Sequence, residues 1–312
     1  MQKYGFGVDI GGTTCKLGLF TVEGELLEKW EIPTVTENNG AGILADVASA
    51  VTKKMAERKL EKEDVVGIGL DVPGPVGRDG IVSQCVNLGW RDYPAAENLE
   101  KQVEMKVCIC NDANAAALGE LWKGGGSGYT DMVMVTLGTG VGGAVILNGK
   151  IVPGVHGLGG ELGHITVYPD EAATCACGKH GCLEQYASAT GLVRVTKDML
   201  EKDARESVLR EREHLSAKMV LDAAKEGDAV AVAALEILGE ALGRTLASAS
   251  HVVDPEIYVI GGGVSRAGEI LITTTRKYFQ KEVLPAGRET AFALATLGND
   301  AGMYGAMKQL LQ

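Results

Sequence analysis

The chain has 312 residues, 46% hydrophobic and 23% charged, enough to bury a large core in what length alone divides into about two domains. Its formal net charge of −11 argues against a nucleic-acid or anionic-membrane surface, but not against anionic ligands, because backbone N–H groups bind phosphate inside an acidic protein. No apolar run approaches the ~18–20 residues of a membrane span, and Met1 to Phe6 leads into a strand-like segment without a signal-peptide pattern, so the expected location is the cytoplasm.

Taken in chain order, Val8-Asp-Ile-Gly-Gly-Thr-Thr-Cys-Lys-Leu-Gly-Leu-Phe20 reads as a strand, a Gly/Thr turn and an alternating strand. Ile43–Lys59 has apolar residues at helical spacing. Val65–Leu70 is a short buried strand ending in the rigid turn Asp71-Val-Pro-Gly-Pro75. Lys106–Cys110 is a further strand, and Ala113–Trp122 an alanine-rich helix. Val135-Thr-Leu-Gly-Thr-Gly-Val-Gly-Gly-Ala-Val-Ile-Leu147 repeats the strand–turn–strand plan of the first segment. The charged stretch 197–214 reads as a solvated helical face. Lys218–Val253 holds two or more helices. Ile257–Ile260 is a strand feeding Gly261-Gly-Gly263 and then a helix; Phe292–Leu297 is a strand and Met303–Leu311 a closing helix. The glycines, 43 in all, cluster at the ends of apolar runs, where tight turns and ligand loops sit.

The two hairpins carry the first functional signal. A Rossmann fingerprint or a P-loop runs from strand into helix, and neither of these does. One hairpin per half suggests an internal duplication with a phosphate-holding turn in each. In the first, Gly11 and Gly12 let the backbone approach an oxygen-rich ligand, Thr13 and Thr14 add hydroxyls, Lys16 adds a positive charge, and Asp9 is placed to hold Mg²⁺ through water. Gly138, Thr139 and Gly140 form the second turn, and Gly262 and Gly263 a third corner against which a nucleotide would lie.

Asn111-Asp112 opens a helix. Either residue suits an N-cap. The functional alternative is a carboxylate, Asp112, that orients a hydroxyl and accepts its proton during phosphoryl transfer, with the helix dipole keeping it ionised and Asn111 bonding a second hydroxyl. Downstream, His164 with Cys175, Cys177 and Cys182 offers a Cys₃His set for a closed, structural Zn²⁺. His180 is a competitor for the histidine position, expected to point outward from a turn tip. Glu161 and Glu184 flank the cluster, and both carboxylates are placed to accept hydrogen bonds from sugar hydroxyls.

These segments together, above all Gly159-Gly-Glu-Leu-Gly-His164 followed by Cys175-Ala-Cys-Gly-Lys-His-Gly-Cys-Leu-Glu184, resemble the ROK family of sugar kinases over the whole chain. The resemblance implies a two-lobed, actin-like ATPase fold of the α/β class (ribonuclease H-like, duplicated) with an interlobe cleft. The small lobe is expected at 1–118 plus 293–312 and the large lobe at 119–292. The resemblance also implies ATP, Mg²⁺, a structural Zn²⁺ and commonly a dimer. The expected assembly is a homodimer or homotetramer, and the net charge and lack of a long apolar run lead to the expectation of no nucleic-acid or membrane partner. Asp112 matches the family's catalytic base. Asn111, Glu161, His164 and Glu184 match its sugar-binding positions, and Gly74 and Asn87 match segments lining the sugar pocket. Gly11, Gly12, Thr13, Gly138, Thr139, Gly140, Gly262 and Gly263 match its nucleotide turns.

Val-Pro-Gly-Pro-Val, Asn-Leu-Gly-Trp and Cys182-Leu-Glu-Gln-Tyr-Ala-Ser-Ala-Thr-Gly191 look like the branch that phosphorylates the 6-hydroxyl of D-glucose. Another hexose or an N-acetylated amino sugar (N-acetylmannosamine or N-acetylglucosamine) is the alternative, and a non-catalytic sugar sensor a further one. The family's repressor branch carries a DNA-binding domain ahead of the first turn. Only eight residues precede Asp9, so that branch is not expected here.

Overall fold

The computed structural model describes residues 2–77, 79–202 and 204–312. The chain forms two compact units: residues 1–128, 149–158 and 297–312 make the first, and 129–148 and 159–296 the second.

The first unit is built on a five-stranded mixed sheet in the order Leu26–Pro33, Thr14–Thr21, Tyr4–Ile10, Val65–Val72, Val107–Asn111. The first three strands are antiparallel neighbours, and the last two run parallel to Tyr4–Ile10. The helix Ile43–Arg58 presents Leu44, Val47, Val51 and Met55 at helical spacing, and they share one buried cluster with Leu17, Ile68 and Leu70 of the sheet. It stops where Lys59 turns left-handed at φ 53°. The strand Leu26–Pro33, the helix Ala95–Val103 and the small ribbon Val82–Cys85 with Trp90–Tyr93 were not anticipated from sequence.

The C-terminal helix, Ala301–Leu310, packs with its backbone almost against other backbones. A Cβ on Gly7 would lie 2.1 Å from the Met303 carbonyl oxygen, one on Gly69 1.9 Å from that of Ala306, and one on Gly305 1.6 Å from that of Ala115. These glycines sit inside strands and helices, not at turns. Their role is close approach, which corrects the reading of glycine as a turn marker throughout. Gly305→Ala is therefore expected to destabilise the protein by about 3 kcal/mol, the upper end for overpacking. Urea unfolding would measure it.

Among the described residues, the strands of the second unit run in the order Val141–Leu147, Met132–Leu137, Ile257–Gly261, Ala291–Leu294. The first pair is an antiparallel hairpin and the rest are parallel. Helices Ala229–Val253 and Glu269–Glu282 pack on one another through small residues: a Cβ on Gly239 would lie 2.5 Å from the Thr274 methyl. Tyr258 is fully buried because its hydroxyl is satisfied, donating to the Leu246 carbonyl at 2.7 Å and lying 2.7 Å from the Ser250 hydroxyl.

Two sequence readings need correction here. The charged stretch after 197 is helical only to Lys202; residues 204–215 form turns, held partly by Asp228, which accepts from the Ser207 hydroxyl and the Val208 N–H. Asp71 is not part of a turn. It lies inside the strand Val65–Val72 and is fully buried.

Candidate active site

In the first unit the strand Tyr4–Ile10 ends in a tight reversal. The Gly11 N–H donates to the Thr14 carbonyl at 3.0 Å, and Ile10 pairs with Cys15. Thr34 pins the turn from behind: its N–H bonds the Thr13 carbonyl and its hydroxyl the Gly11 carbonyl at 2.7 Å. Gly12 and Thr13 stay exposed. Asn87 lies against this turn, its Cβ 3.4 Å from where a Gly12 side chain would begin. Cys15 is buried, with its sulfur 3.3 Å from the Thr34 hydroxyl.

Lys16 bonds Asp9 at 2.9 Å and the Asn299 carbonyl at 3.2 Å. Burial is the largest influence and works against its charge, but the bond to Asp9 and the charges of Asp9, Asp71 and Glu31 together outweigh it, so its ammonium is held above its ordinary pKa. Asp9 pairs in register with Asp71, and Asp71 in turn with Cys110, one step before Asn111. Three carboxylates, Asp9, Asp71 and Asp112, thus gather at one end of the sheet. Asp71 is pushed well above the carboxylate range, first by burial and then by the charges of Asp9 and Asp112.

The capping question at Asn111-Asp112 resolves in favour of Asn111. Its Oδ1 accepts from the N–H groups of Ala113 and Asn114, and its Nδ2 donates to the Gly74 carbonyl and to Asp112 Oδ1. Asn111 is fully engaged within the protein, and it ties Gly74 to the helix start. Asp112 Oδ1 accepts from Asn111 and from the Ala113 N–H, leaving Oδ2 without a partner among the described residues. The side chain remains open to solvent, so a substrate can reach it. The expectation that the helix start would dominate its ionisation is corrected. The protein packed around Asp112 raises its pKa above the ordinary value, with Asp9 adding, while the Ala113 N–H and Asn111 pull it back only in part.

In the second unit the Gly138-Thr-Gly140 turn closes with the Gly138 N–H on the Gly140 carbonyl at 2.9 Å. The segment 184–190 grips it. Glu184 Oε2 accepts from the Val141 N–H at 3.0 Å, the Ala189 N–H donates to the Gly138 carbonyl at 2.8 Å, and the Thr190 hydroxyl donates to the Thr139 carbonyl at 2.7 Å. A Cβ on Gly140 would lie 2.2 Å from Glu184 Oε2, so a side chain there would displace the carboxylate from the Val141 N–H. Gly262 turns left-handed at φ 83° against the Leu137 backbone, and Gly263 faces open space. The α-helix after this corner begins only at Glu269, because residues 263–267 form a 3₁₀ turn.

The ligand atoms of His164, Cys175, Cys177 and Cys182 all lie within 4.8 Å of one another. Cys177 and Cys182 sulfurs are 3.6 Å apart, and His164 Nδ1 is 3.9 Å from the Cys175 sulfur. A tetrahedron of ~2.3 Å zinc–sulfur bonds has edges of roughly 3.8 Å, so the donor set fits Zn²⁺ in size and chemistry. Gly178 and Gly181 take left-handed conformations that bring the ligands round, and His180 is exposed outside the cluster. The cluster reaches the Gly138–Gly140 turn through one residue: the Cys175 sulfur is 3.7 Å from Glu184 Oε1. Glu161 is exposed, with no side-chain partner among the described residues.

Sequence reasoning missed Thr34, Thr190 and Asp71. The first two are ordinary residues until the fold brings them to the turns. Asp71 had a signal: an acid inside an otherwise apolar strand.

Two α/β units, each with a Gly/Thr hairpin at the heart of a mixed sheet, define an actin-like ATPase fold. Residues 5–312 match the ROK family, and the chain belongs to it. It is 45% identical to a glucokinase of Halalkalibacterium halodurans, over 97% of this chain and 94% of that protein. Among solved structures, a ROK family glucokinase from Streptomyces griseus, in complex with glucose and AMPPNP, is 34% identical over 98% of both chains with a TM-score of 0.72. A ROK hexokinase from Thermus thermophilus is 31% identical over 98% of this chain and 97% of that one, with a TM-score of 0.79.

Proposed function

We propose that this protein is an ATP-dependent glucokinase, transferring the γ-phosphoryl group of ATP to the 6-hydroxyl of D-glucose. The observation that carries the reading is Asp112: solvent-open, with one oxygen fixed by Asn111 and Ala113 and the other unpartnered. A group that orients an incoming hydroxyl and takes its proton needs that arrangement. The whole-chain similarity to the Halalkalibacterium and Streptomyces glucokinases supports glucose as the substrate.

In this reading Asp112 holds the 6-hydroxyl and accepts its proton as the oxygen bonds to phosphorus. Gly74, Asn87, Asn111, Glu161, His164 and Glu184 hold the sugar's ring hydroxyls. For Asn111, already saturated, that requires exchanging an internal bond or acting through the Gly74 loop. The turns at Gly11–Thr14, Gly138–Gly140 and Gly262–Gly263 offer N–H and hydroxyl donors to the nucleotide, and Lys16 offers its charge. Mg²⁺, when bound with ATP, neutralises charge on the phosphates, and Asp9 is the residue placed to meet it. Zn²⁺ on His164 and the three cysteines is structural, since all four positions are filled by protein. We assign the assembly as a homodimer or homotetramer and the location as cytoplasmic. Among the described residues no helix is long and apolar enough to cross a membrane.

The test is ADP release from Mg·ATP against glucose, mannose, fructose, N-acetylglucosamine and N-acetylmannosamine. Glucose is expected to give the highest kcat/KM. An amino sugar in first place would overturn the substrate, and no turnover with any sugar from zinc-replete protein would overturn the kinase reading.

A further inference from the structure

Asp71 has no obvious reason to be an acid. Its side chain is fully buried, and neither carboxylate oxygen finds a donor among the described residues. Its strand neighbours Leu70 and Val72 are buried and apolar. Burying an ion without a partner costs several kcal/mol, which a valine or alanine here would avoid. Such a cost persists where something absent from the folded chain repays it.

The surroundings indicate what that is. Asp71 and Asp9 are in-register partners on adjacent parallel strands. Both converge on the bare backbone of Gly302, at the start of the C-terminal helix: a Cβ there would lie 3.0 Å from Asp71 Oδ2 and 3.2 Å from Asp9 Oδ2. Any side chain at 302 would fill the space the two carboxylates share. The cation beside them, Lys16, is bonded to Asp9 and to the Asn299 carbonyl, not to Asp71. The pair therefore has an all-oxygen donor set, and only one of its two carboxyl groups is partnered by a cation. It lies at the end of the strand that opens the Gly11–Thr14 turn. A hard divalent cation that takes one or two carboxylates and completes its shell with water and phosphate oxygens matches this set.

We propose that Asp71 joins Asp9 in holding the divalent cation, so that this chain binds Mg²⁺ with two protein carboxylates, one of them buried. The proposal rests on reading Asp9 as the residue that meets the metal, and its test is independent of turnover. Mn²⁺ is titrated into zinc-replete, nucleotide-free protein, and free Mn²⁺ is followed by its electron paramagnetic resonance signal. Wild type is expected to bind one Mn²⁺ that Mg²⁺ displaces. Asp71→Asn and Asp9→Asn are each expected to weaken it by about 10-fold or more. Asp71→Asn should unfold at the same or a higher temperature than wild type, because it removes a buried acid that the fold holds off its ordinary ionisation beside Asp9; Asp71→Ala provides a second reading if the amide packs badly. No Mn²⁺ bound by wild type, or equal affinity in wild type and both Asp71 variants, would overturn the proposal. A wild type that phosphorylates sugars while Mn²⁺ affinity ignores Asp71 sinks this site alone. A wild type without sugar turnover whose Mn²⁺ site depends on Asp71 sinks the kinase reading alone.

Discussion

Asp112→Asn is expected to lower kcat for glucose phosphorylation by about 10²–10⁴-fold, the range for removing a positioned general base. The amide is nearly isosteric, and the helix cap is untouched, because Asn111 supplies it. The fold should survive and KM for glucose should change little, since the lost interaction grows as the proton moves. The pH profile gives a second readout. A base works only when deprotonated, and the protein packed around Asp112, with the nearby Asp9 charge, raises its pKa above the ordinary aspartate value. The acid limb of kcat/KM in wild type should therefore lie above the ordinary aspartate range, and in Asp112→Asn it should be absent from the residual rate. An undiminished kcat in the variant would remove Asp112 from the chemistry. Asn111→Ala makes the contrasting case: it strips the cap at a cost of about 1 kcal/mol and also releases Asp112 Oδ1 and the Gly74 carbonyl. Its effect should be divided between stability and rate.

Cys182→Ser is expected to abolish stoichiometric zinc and lower Tm by on the order of 10 °C, as a loss of ~3–5 kcal/mol would do in a domain of this size. Cys182 is fully buried beside Cys177, and its segment leads directly into Glu184. Without the metal, the ends of the loop 164–182 keep the Thr166–Cys182 bridge with its flanking backbone hydrogen bonds and the bond from Lys179 to the His164 carbonyl, and the sulfurs are left untied. The damage should travel further than the loop. Glu184 touches the Cys175 sulfur with one oxygen and holds the Val141 N–H with the other, so loosening the cluster loosens the Gly138–Gly140 turn. KM for ATP should rise before Tm is reached, and treating wild type with a chelator should reproduce both effects. Cys108→Ser, a cysteine outside the cluster, should retain zinc. Full zinc content in Cys182→Ser, measured by elemental analysis, would show that the ligand set is a different one.

Much of the site was legible because local chemistry dictates it. Gly-Gly-Thr-Thr between an apolar run and an alternating one reads as an exposed hairpin turn, and the Cys-x-Cys-x₄-Cys spacing with nearby glycines lets the thiols come together locally. The Asn-Asp pair was legible as a helix start, but which residue caps and which is released depends on the Gly74 carbonyl, which lies 37 positions away. The glycines misled for the same reason. Gly7, Gly69 and Gly305 look like any other glycine in the sequence, and only the arrival of the C-terminal helix shows that they are contact points.

The sequence by itself determined the family, the hairpin turns, the Cys/His cluster and the candidate base, because each depends on residues close together or on a motif that repeats. Tertiary structure alone decided that Asp112 is held above its ordinary pKa, that Thr34 and Glu184 brace the two turns, and that Asp71 faces Asp9 without a donor. Those properties arise from burial and from strand register between segments far apart in the chain, and neither burial nor register is written in local composition.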